Sequence, residues 1–248
     1  MASKVNGVVR VGLIGSGGIS GAHGLGFLKY SDKIKCVALC DVSADNLKKR
    51  SDQLGGVSKQ FNDWKVMLKE MGNEIDAVDI ASPRDTHIAL VEAAAAKGID
   101  VLCQKPLAPT FDGGASMAGR IGGKIRVMVH ENWRFRPWYR RLRAWLDSGG
   151  PGRLLQVDMA TLSSGLLLNA AGVRPILERQ PFMGREKRLM VAEVMIHHID
   201  TLRWLFGPLK LKHAKTAHTV PEVAGETLAF MLFETRDRVP VVLRGALD

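Results

Sequence analysis

Residues 9–21 read VRVGLIGSGGISG, an apolar run that ends directly in a glycine-rich turn. Such a run is typical of a strand buried on both faces of a parallel sheet. The turn follows the pattern Gly-x-Gly-x-x-Gly, except that Ser20 takes the third glycine's place and Gly21 comes next. A turn of this kind lets the backbone approach a pyrophosphate, and the positive end of the following helix favours the anion. The cofactor-binding residues predicted here are Gly15, Gly17, Gly18 and Ile19.

Strand and helix patterns alternate after this stretch. Further apolar runs occupy residues 35–41, 77–81, 101–103 and 125–129. Helical spacing fills the intervals, to about residue 30 and over 44–54, 62–71, 86–97 and 111–120. This β-α-β-α order predicts a doubly wound parallel sheet with helices on both faces, a Rossmann domain over residues 1–129.

The second half of the chain has a different pattern. Helices are predicted over 137–147 and 190–206, and strands over 154–162, 209–218, 227–233 and 239–244. Consecutive strands with short connections favour antiparallel pairing, so residues 130–248 are predicted to form an α+β domain with an open, mainly antiparallel sheet. Residues 163–188 show little periodicity and are predicted to be a long loop, mobile without ligand, that walls a substrate pocket. Its basic residues are Arg174, Arg179, Arg185 and Arg188.

Asp41 ends the second predicted strand, 26 residues after Gly15. A carboxylate at this place can accept hydrogen bonds from both ribose hydroxyls and would repel a 2′-phosphate, so NAD is favoured over NADP. The alternative is that Asp41 only caps the next helix, with Ser43 as a rival cap. Lys48, Lys49 and Arg50 are predicted on a mostly solvated face of that helix.

Polar residues follow two later strands, at the edge where open parallel sheets bind ligands. Ser82, Pro83 and His87 follow the strand at 77–81, and Gln104 and Lys105 follow the strand at 101–103. A lysine fixed by the following proline is a rigid donor, although a Lys-Pro pair can also be a plain strand-ending turn. A methyltransferase that uses S-adenosylmethionine shares the glycine turn and the acidic residue, but not these later motifs.

Glu193 and His197 lie four residues apart on a predicted helix and so share one face. A carboxylate beside a histidine can orient it as a general base. The alternative is a buried histidine with satisfied hydrogen bonds, which the neighbouring apolar residues also suit. No metal site is predicted, because the sequence has no His-Glu-x-x-His and no third clustered ligand.

Composition and charge exclude several classes of protein. The 248 residues are 46% hydrophobic and 24% charged, unlike a disordered tail or a small disulfide scaffold. The net charge of +10 is scattered, and only residues 134–143 interleave basic and aromatic side chains as a nucleic-acid surface would. We favour a solvated basic face there and expect no nucleic-acid partner. With no apolar run near the ~20 residues that span a bilayer, no signal peptide and three unpaired cysteines, we expect a cytoplasmic protein.

Together these motifs resemble the glucose–fructose oxidoreductase, inositol dehydrogenase and rhizopine catabolism family, written Gfo/Idh/MocA. The resemblance runs from Val9 to about Pro208 and keeps the order of the motifs. They are the glycine turn with His23, Asp41, Ser82-Pro83 with His87, Lys105-Pro106, Asn132-x-Arg134-Phe135-x-Pro137, and Glu193-x-x-x-His197-x-x-Asp200.

The resemblance implies a nicotinamide-dependent dehydrogenase acting on a secondary alcohol of a sugar, inositol or related polyol. Lys105 then matches the catalytic lysine, and His197 matches the histidine that exchanges the hydroxyl proton. Glu193 replaces the usual Asp, and Asp200 is expected to be structural. The substrate-binding residues expected are Lys105, Asn132, Arg134, Glu193 and His197, and the cofactor set gains Ser82, Pro83, His87, Gln104 and Lys105.

Two departures from the family pattern matter. Gln104 stands where members carry Glu, which removes a negative charge beside Lys105. Members also continue well past the equivalent of Asp248, so we expect the second domain to be incomplete relative to them, with part of a surface used for oligomerisation as dimer or tetramer. The runner-up function is therefore a catalytically impaired nucleotide-binding or sensor protein.

Overall fold

A computed structural model describes residues 7–248 of the chain. The chain divides into two compact units, one ending at His130 and the other beginning at Glu131, and each is described by itself. Unit 1 contains two clusters of buried apolar residues and unit 2 contains one, and no cluster includes buried residues of both units.

Unit 1 is built on a six-stranded parallel sheet with strand order β3-β2-β1-β4-β5-β6. Its strands are β1 (Val9–Ile14), β2 (Ile34–Cys40), β3 (Gln60–Phe61), β4 (Ala77–Ile80), β5 (Asp100–Cys103) and β6 (Val127–Val129). The order reverses between β1 and β4, and in such sheets ligands bind beside the carboxyl ends of the strands at the reversal. This confirms the predicted doubly wound sheet.

Five helices flank this sheet: α1 (Ser20–Lys29), α2 (Ala44–Gln53), α3 (Trp64–Met71), α4 (His87–Ala96) and α5 (Phe111–Ile121). Side chains of Ser43, Asp63 and Thr110 accept hydrogen bonds from the first-turn N–H groups of α2, α3 and α5, which fixes where those helices begin. The prediction missed β3 and began α3 two residues early, because two strand residues are too few to show a period of two.

Unit 2 holds a four-stranded mixed sheet of order β7-β10-β9-β8. Its strands are β7 (Val157–Leu162), β8 (Lys210–Ala217), β9 (Leu228–Glu234) and β10 (Pro240–Ala246). The β8–β9 and β9–β10 pairs are antiparallel and the β7–β10 pair is parallel, so the open, mainly antiparallel sheet is confirmed. Its helices are α6 (Pro137–Asp147), α7 (Pro175–Arg179) and α8 (Ile196–Phe206).

The prediction of one long loop over residues 163–188 is wrong. The segment contains α7 and a 3₁₀ helix at Pro181–Arg185. Leu166, Ile176 and Met183 are buried in the core of unit 2, and irregular spacing hides such anchors from a search for periodicity. Arg174, proposed to meet a ligand, instead donates to the Leu166 carbonyl and pairs with Glu222.

The predicted helix over 190–206 is also not uniform. Residues Met190–Met195 form a π-helix, and the α-helix α8 begins only at Ile196. A π-helix is wider than an α-helix and recurs at functional sites. Among residues 7–248, no helix is long and apolar enough to cross a membrane.

Candidate functional site

The glycine turn of unit 1 has the geometry that a phosphate cradle needs. Gly15 adopts a φ of +92°, and a Cβ there would lie 2.5 Å from the backbone of Ala81 and Ser82. Only glycine lets the turn pass this close to the end of β4. The turn is open at Gly18, because a Cβ there would meet no described atom within 4 Å. We call this the open side of the turn. The first turn of α1 carries no acidic residue, so its N–H groups suit an anion.

Asp41 binds the turn from the end of β2. Its Oδ2 accepts from the Ser16 N–H at 2.6 Å, and its Oδ1 accepts from the Ser43 N–H at 2.8 Å. The N-cap of α2 is Ser43, whose hydroxyl accepts from the Asn46 N–H at 3.3 Å. Asp41 therefore does more than cap α2. Its carboxylate is fixed at the turn, which fits the place predicted for a ribose-binding acid.

The prediction for the charged face of α2 is correct for Lys48 and Lys49 but wrong for Arg50. Both lysines are exposed, whereas Arg50 is only 4% exposed. Its guanidinium donates to the Gly17 carbonyl at 3.0 Å and its Nε donates to the Ser20 hydroxyl at 3.0 Å. A charged residue in a polar helix gives no sequence signal that it points inward.

A buried chain of polar side chains lies at the ends of β4 and β5. His23 Nδ1 lies 2.7 Å from Asp79 Oδ2, and the Gln104 amide nitrogen lies 3.0 Å from His23 Nε2 and 3.2 Å from His130 Nδ1. The Gln104 amide can only donate from this nitrogen, so both imidazole nitrogens act as acceptors. His23 then carries its proton on Nδ1 and donates it to Asp79.

Gln104 also holds the backbone of its neighbour. Its Oε1 accepts from the Lys105 N–H at 3.1 Å, just before the cis Lys105–Pro106 peptide. His87 is 1% exposed, and its ring nitrogens lie 2.9 Å from the Pro106 carbonyl oxygen and 3.0 Å from that of Ser82. His87 therefore ties the two strand-end segments together from inside, rather than presenting its ring to a ligand.

His197 of unit 2 is held by a carboxylate that sequence analysis missed. Its Nδ1 lies 2.6 Å from Glu131 Oε2, and its ring stacks on Trp133 at 5.0 Å with an interplanar angle of 4°. Donation from Nδ1 to the carboxylate leaves Nε2 to act as a base. Glu193 lies in the π-helix and is 8% exposed. The structure thus places the Glu131 carboxylate on His197 Nδ1, where sequence analysis expected Glu193. The only sequence signal for Glu131 was its place after the last Rossmann strand.

Arg134, expected to bind substrate, forms an ion pair with Asp200. Its Nε donates to Asp200 Oδ2 at 2.7 Å and its Nη2 to Oδ1, and this pairing raises the pKa of the guanidinium. The structural role expected for Asp200 fits this pair. Arg136 lies 4.0 Å from the centroid of the Trp133 ring, on which it makes a cation–π contact. His198, beside the same ring, has its pKa lowered mainly by burial.

The three cysteines are inert packing groups in unit 1. Cys36, Cys40 and Cys103 are buried free thiols, and burial raises the pKa of each to about 12. Within residues 7–248, no cluster of three or more His, Cys, Asp or Glu could hold a metal ion.

The chain combines a parallel Rossmann sheet and its glycine turn with a second unit that has an open sheet and a carboxylate-bound histidine on α8. This combination defines a class of nicotinamide-dependent oxidoreductases. The model of the oxidoreductase family with an NAD-binding Rossmann fold matches residues 9–128, and the model of its C-terminal domain matches residues 139–247. The chain belongs to the Gfo/Idh/MocA family. The resemblance drawn from the motifs and the prediction of an NAD-binding domain are confirmed.

Similar proteins include several dehydrogenases. D-apiose dehydrogenase of Paraburkholderia graminis is 31% identical over 93% of this chain and 58% of its own length. Inositol 2-dehydrogenase of Acidothermus cellulolyticus is 32% identical over 97% of this chain and 64% of its own length. An oxidoreductase of Agrobacterium radiobacter, solved with NAD⁺, L-tartaric acid and magnesium, superposes with a TM-score of 0.85 at 26% identity, covering 96% of this chain and 66% of that one. The chain thus spans less than two thirds of the length of these relatives.

Proposed function

We propose that this protein transfers a hydride between NAD and a secondary alcohol carbon of a sugar, inositol or related polyol. Residues 1–129 would bind NAD, and residues 130–248 would supply the substrate face. The observation that carries the proposal is the His197–Glu131 pair in a chain of this family. The carboxylate holds the imidazole in the arrangement of a general base. NAD, when bound, supplies the hydride acceptor at its nicotinamide ring.

The residues of the chain bind, orient and move a proton in this proposal. His197 Nε2 accepts the hydroxyl proton as the alcohol is oxidised, while Glu131 holds Nδ1. The Lys105 ammonium donates to the same substrate oxygen and stabilises the charge that develops on it. Glu193 and Asn132 contact neighbouring hydroxyls. Backbone N–H groups of the glycine turn hold the pyrophosphate and Asp41 binds the ribose, while Ser82, Pro83 and Gln104 border the cofactor.

The test is turnover with a substrate panel. Purified protein is mixed with NAD and a set of inositols, pentoses and hexoses, and absorbance of the reduced nicotinamide is followed. We expect at least one polyol to give turnover that His197→Ala and Lys105→Ala lower by on the order of 10²-fold, with NAD affinity nearly unchanged. Near-normal turnover in either variant would show that the role assigned to that residue is wrong.

Gln104 favours a second candidate, a nucleotide-binding protein without turnover. The amide keeps the hydrogen bond to the Lys105 N–H but brings no negative charge to the lysine. This candidate predicts that NAD binds and that no polyol in the panel is oxidised. Restored turnover in Gln104→Glu would identify the amide as the cause.

Two further parts of the proposal concern assembly and compartment. Leu162 on β7 and Phe230 on β9 expose 76% and 39% of their surface, so we propose that this sheet pairs with other copies in a dimer or tetramer. Light scattering after size exclusion tests this, and a monomer would contradict it.

The three buried, unpaired thiols support a reducing compartment such as the cytoplasm.

A further inference from the structure

Arg50 is a buried charged residue whose guanidinium contacts the glycine turn. It projects from α2, is 4% exposed, and donates to the carbonyls of Ser16 and Gly17 at 3.4 and 3.0 Å and to the Ser20 hydroxyl at 3.0 Å. Its Nη1 also donates to the side-chain oxygen of Gln53. Every one of these acceptors is a neutral group.

No carboxylate pairs with Arg50 anywhere in the part of the chain that the structure describes. The buried guanidinium thus lacks a counter-charge, an arrangement that costs stability unless something compensates. Burial accordingly lowers the pKa of the Arg50 guanidinium. The neighbouring ion pair on α2, Lys48 with Asp52, is by contrast fully formed and exposed.

Helix α1 makes room for this charge at two glycines. A Cβ on Gly21 would lie 3.2 Å from Arg50 Nη1, and a Cβ on Gly24 would lie 2.7 Å from Gln53 Oε1. Glycine inside a helix costs about 0.5–1 kcal/mol relative to alanine. The helix therefore gives up stability at both positions to admit the Arg50–Gln53 pair.

The contacts of Arg50 fix the direction of two N–H groups. In a trans peptide the C=O and the N–H point in opposite directions. Because Arg50 binds the carbonyls of Ser16 and Gly17, the N–H groups of Gly17 and Gly18 point away from it. Neither N–H donates to any group within residues 7–248. Both therefore face the open side of the turn.

We propose that Arg50 is a positioning residue of the NAD site and the built-in counter-charge of its pyrophosphate. The guanidinium aligns the two N–H donors from behind the turn and polarises their peptides. Its unmatched positive charge is compensated when the anion arrives. The inference rests on NAD binding by unit 1 and not on hydride transfer. The competing explanation is that Arg50 only holds α1 and α2 together and has no role in binding NAD.

The test compares neutral and charged replacements. Arg50→Gln and Arg50→Met remove the charge, and Arg50→Lys keeps it while losing the planar fork. Lys48→Met, which removes an exposed charge from the same helix, is the matched control. Calorimetry gives dissociation constants for NAD, ADP-ribose and adenosine at several salt concentrations, and the unfolding midpoint of each variant without ligand is measured in parallel.

We expect the neutral variants to bind NAD and ADP-ribose about tenfold or more weakly, with adenosine affinity little changed. The salt dependence of NAD affinity should become shallower in these variants, because a charge that attracts the pyrophosphate has gone. Arg50→Lys should keep the steeper salt dependence, and Lys48→Met should match the wild type. If Arg50→Met does not fold, Arg50→Gln against Arg50→Lys carries the comparison.

Two results would show that Arg50 only holds α1 and α2 together: equal losses of affinity for NAD and for adenosine, or an unchanged salt dependence of NAD affinity in Arg50→Gln. That result would leave the proposed function intact, since the wild type would still bind NAD. A wild type that binds no NAD would overturn both.

Discussion

At the residue scale, the clearest prediction concerns Glu131. Its carboxylate is the acceptor for His197 Nδ1, so Glu131→Gln replaces a charged acceptor by a neutral amide. We expect kcat to fall by on the order of 10²-fold, because the imidazole loses the group that orients it and stabilises its protonated form. KM for NAD should change little, and Glu131→Asp should recover part of kcat. Steady-state kinetics on the identified polyol measure this, and an unchanged kcat would contradict the role.

Asp41 allows a prediction about cofactor choice. Its carboxylate is fixed at the turn by the N–H groups of Ser16 and Ser43, where it would repel a 2′-phosphate. We expect the wild type to bind NAD more tightly than NADP, and Asp41→Ala to narrow the difference. The measurement is the dissociation constant of NAD and of NADP for the wild type and for Asp41→Ala. A wild type that prefers NADP by about tenfold would refute the assignment.

Gln104 supports a prediction about stability. In Gln104→Glu, a carboxylate would face the acceptor nitrogens of His23 and His130, which the amide now satisfies at 3.0 and 3.2 Å. A carboxylate has no N–H to donate, so both hydrogen bonds are lost. We expect the free energy of unfolding to fall by about 1–3 kcal/mol at neutral pH. Denaturant unfolding tests it, and a stability equal to that of the wild type would contradict it.

At the scale of elements, the Arg134–Asp200 pair joins the 3₁₀ helix Trp133–Phe135 to α8. The two side chains are 33% and 21% exposed, so Arg134→Ala leaves a partly buried carboxylate without its partner. We expect a loss of about 1–2 kcal/mol in the free energy of unfolding. Arg244→Ala is the control, because its pair with Asp158 is 55% and 45% exposed. Equal losses of unfolding free energy in the two variants would show that the Arg134–Asp200 pair stabilises the protein no more than an exposed ion pair does.

The elements also show what the sequence could and could not predict. Long apolar runs such as β1 and β2 are read directly from hydrophobicity, because both faces of a central parallel strand are buried. The two-residue β3 and the π-helix at Met190–Met195 leave no periodic signal. Glu131 and Arg50 were missed because their roles depend on which distant residues the fold brings to them.

At the scale of the whole molecule, the buried thiols report on unfolding. The pKa of about 12 means that Cys36, Cys40 and Cys103 carry almost no thiolate in the native state near neutral pH. We expect a thiol reagent to label the native protein only through unfolding of unit 1. NAD at about a hundred times its dissociation constant should slow labelling by about 100-fold, since binding stabilises the native state by about 2.7 kcal/mol. Fast labelling of the native protein would contradict the burial.

Thiol ionisation also gives a pH dependence with a definite sign. The pKa of each cysteine is about 12 in the folded chain against an ordinary 9.0, so the unfolded thiols lose protons first. Their contribution to stability is complete below about pH 9 and is lost as pH rises towards 12. Replacing all three by Ala should flatten this part of the stability profile, and an unaltered profile would contradict the shift.

The Arg50 contacts bear on protein engineering, where a glycine-rich cofactor turn is often treated as a portable part. Grafting only β1 and α1 into a new scaffold would carry over Gly21 and Gly24, two weak points in a ten-residue helix, without the side chains that fill the space above them. It would also leave behind the donor that orients the Gly17 and Gly18 amides. The smallest transferable part of this protein therefore runs through β1, α1, β2 and α2, from Val9 to Gln53.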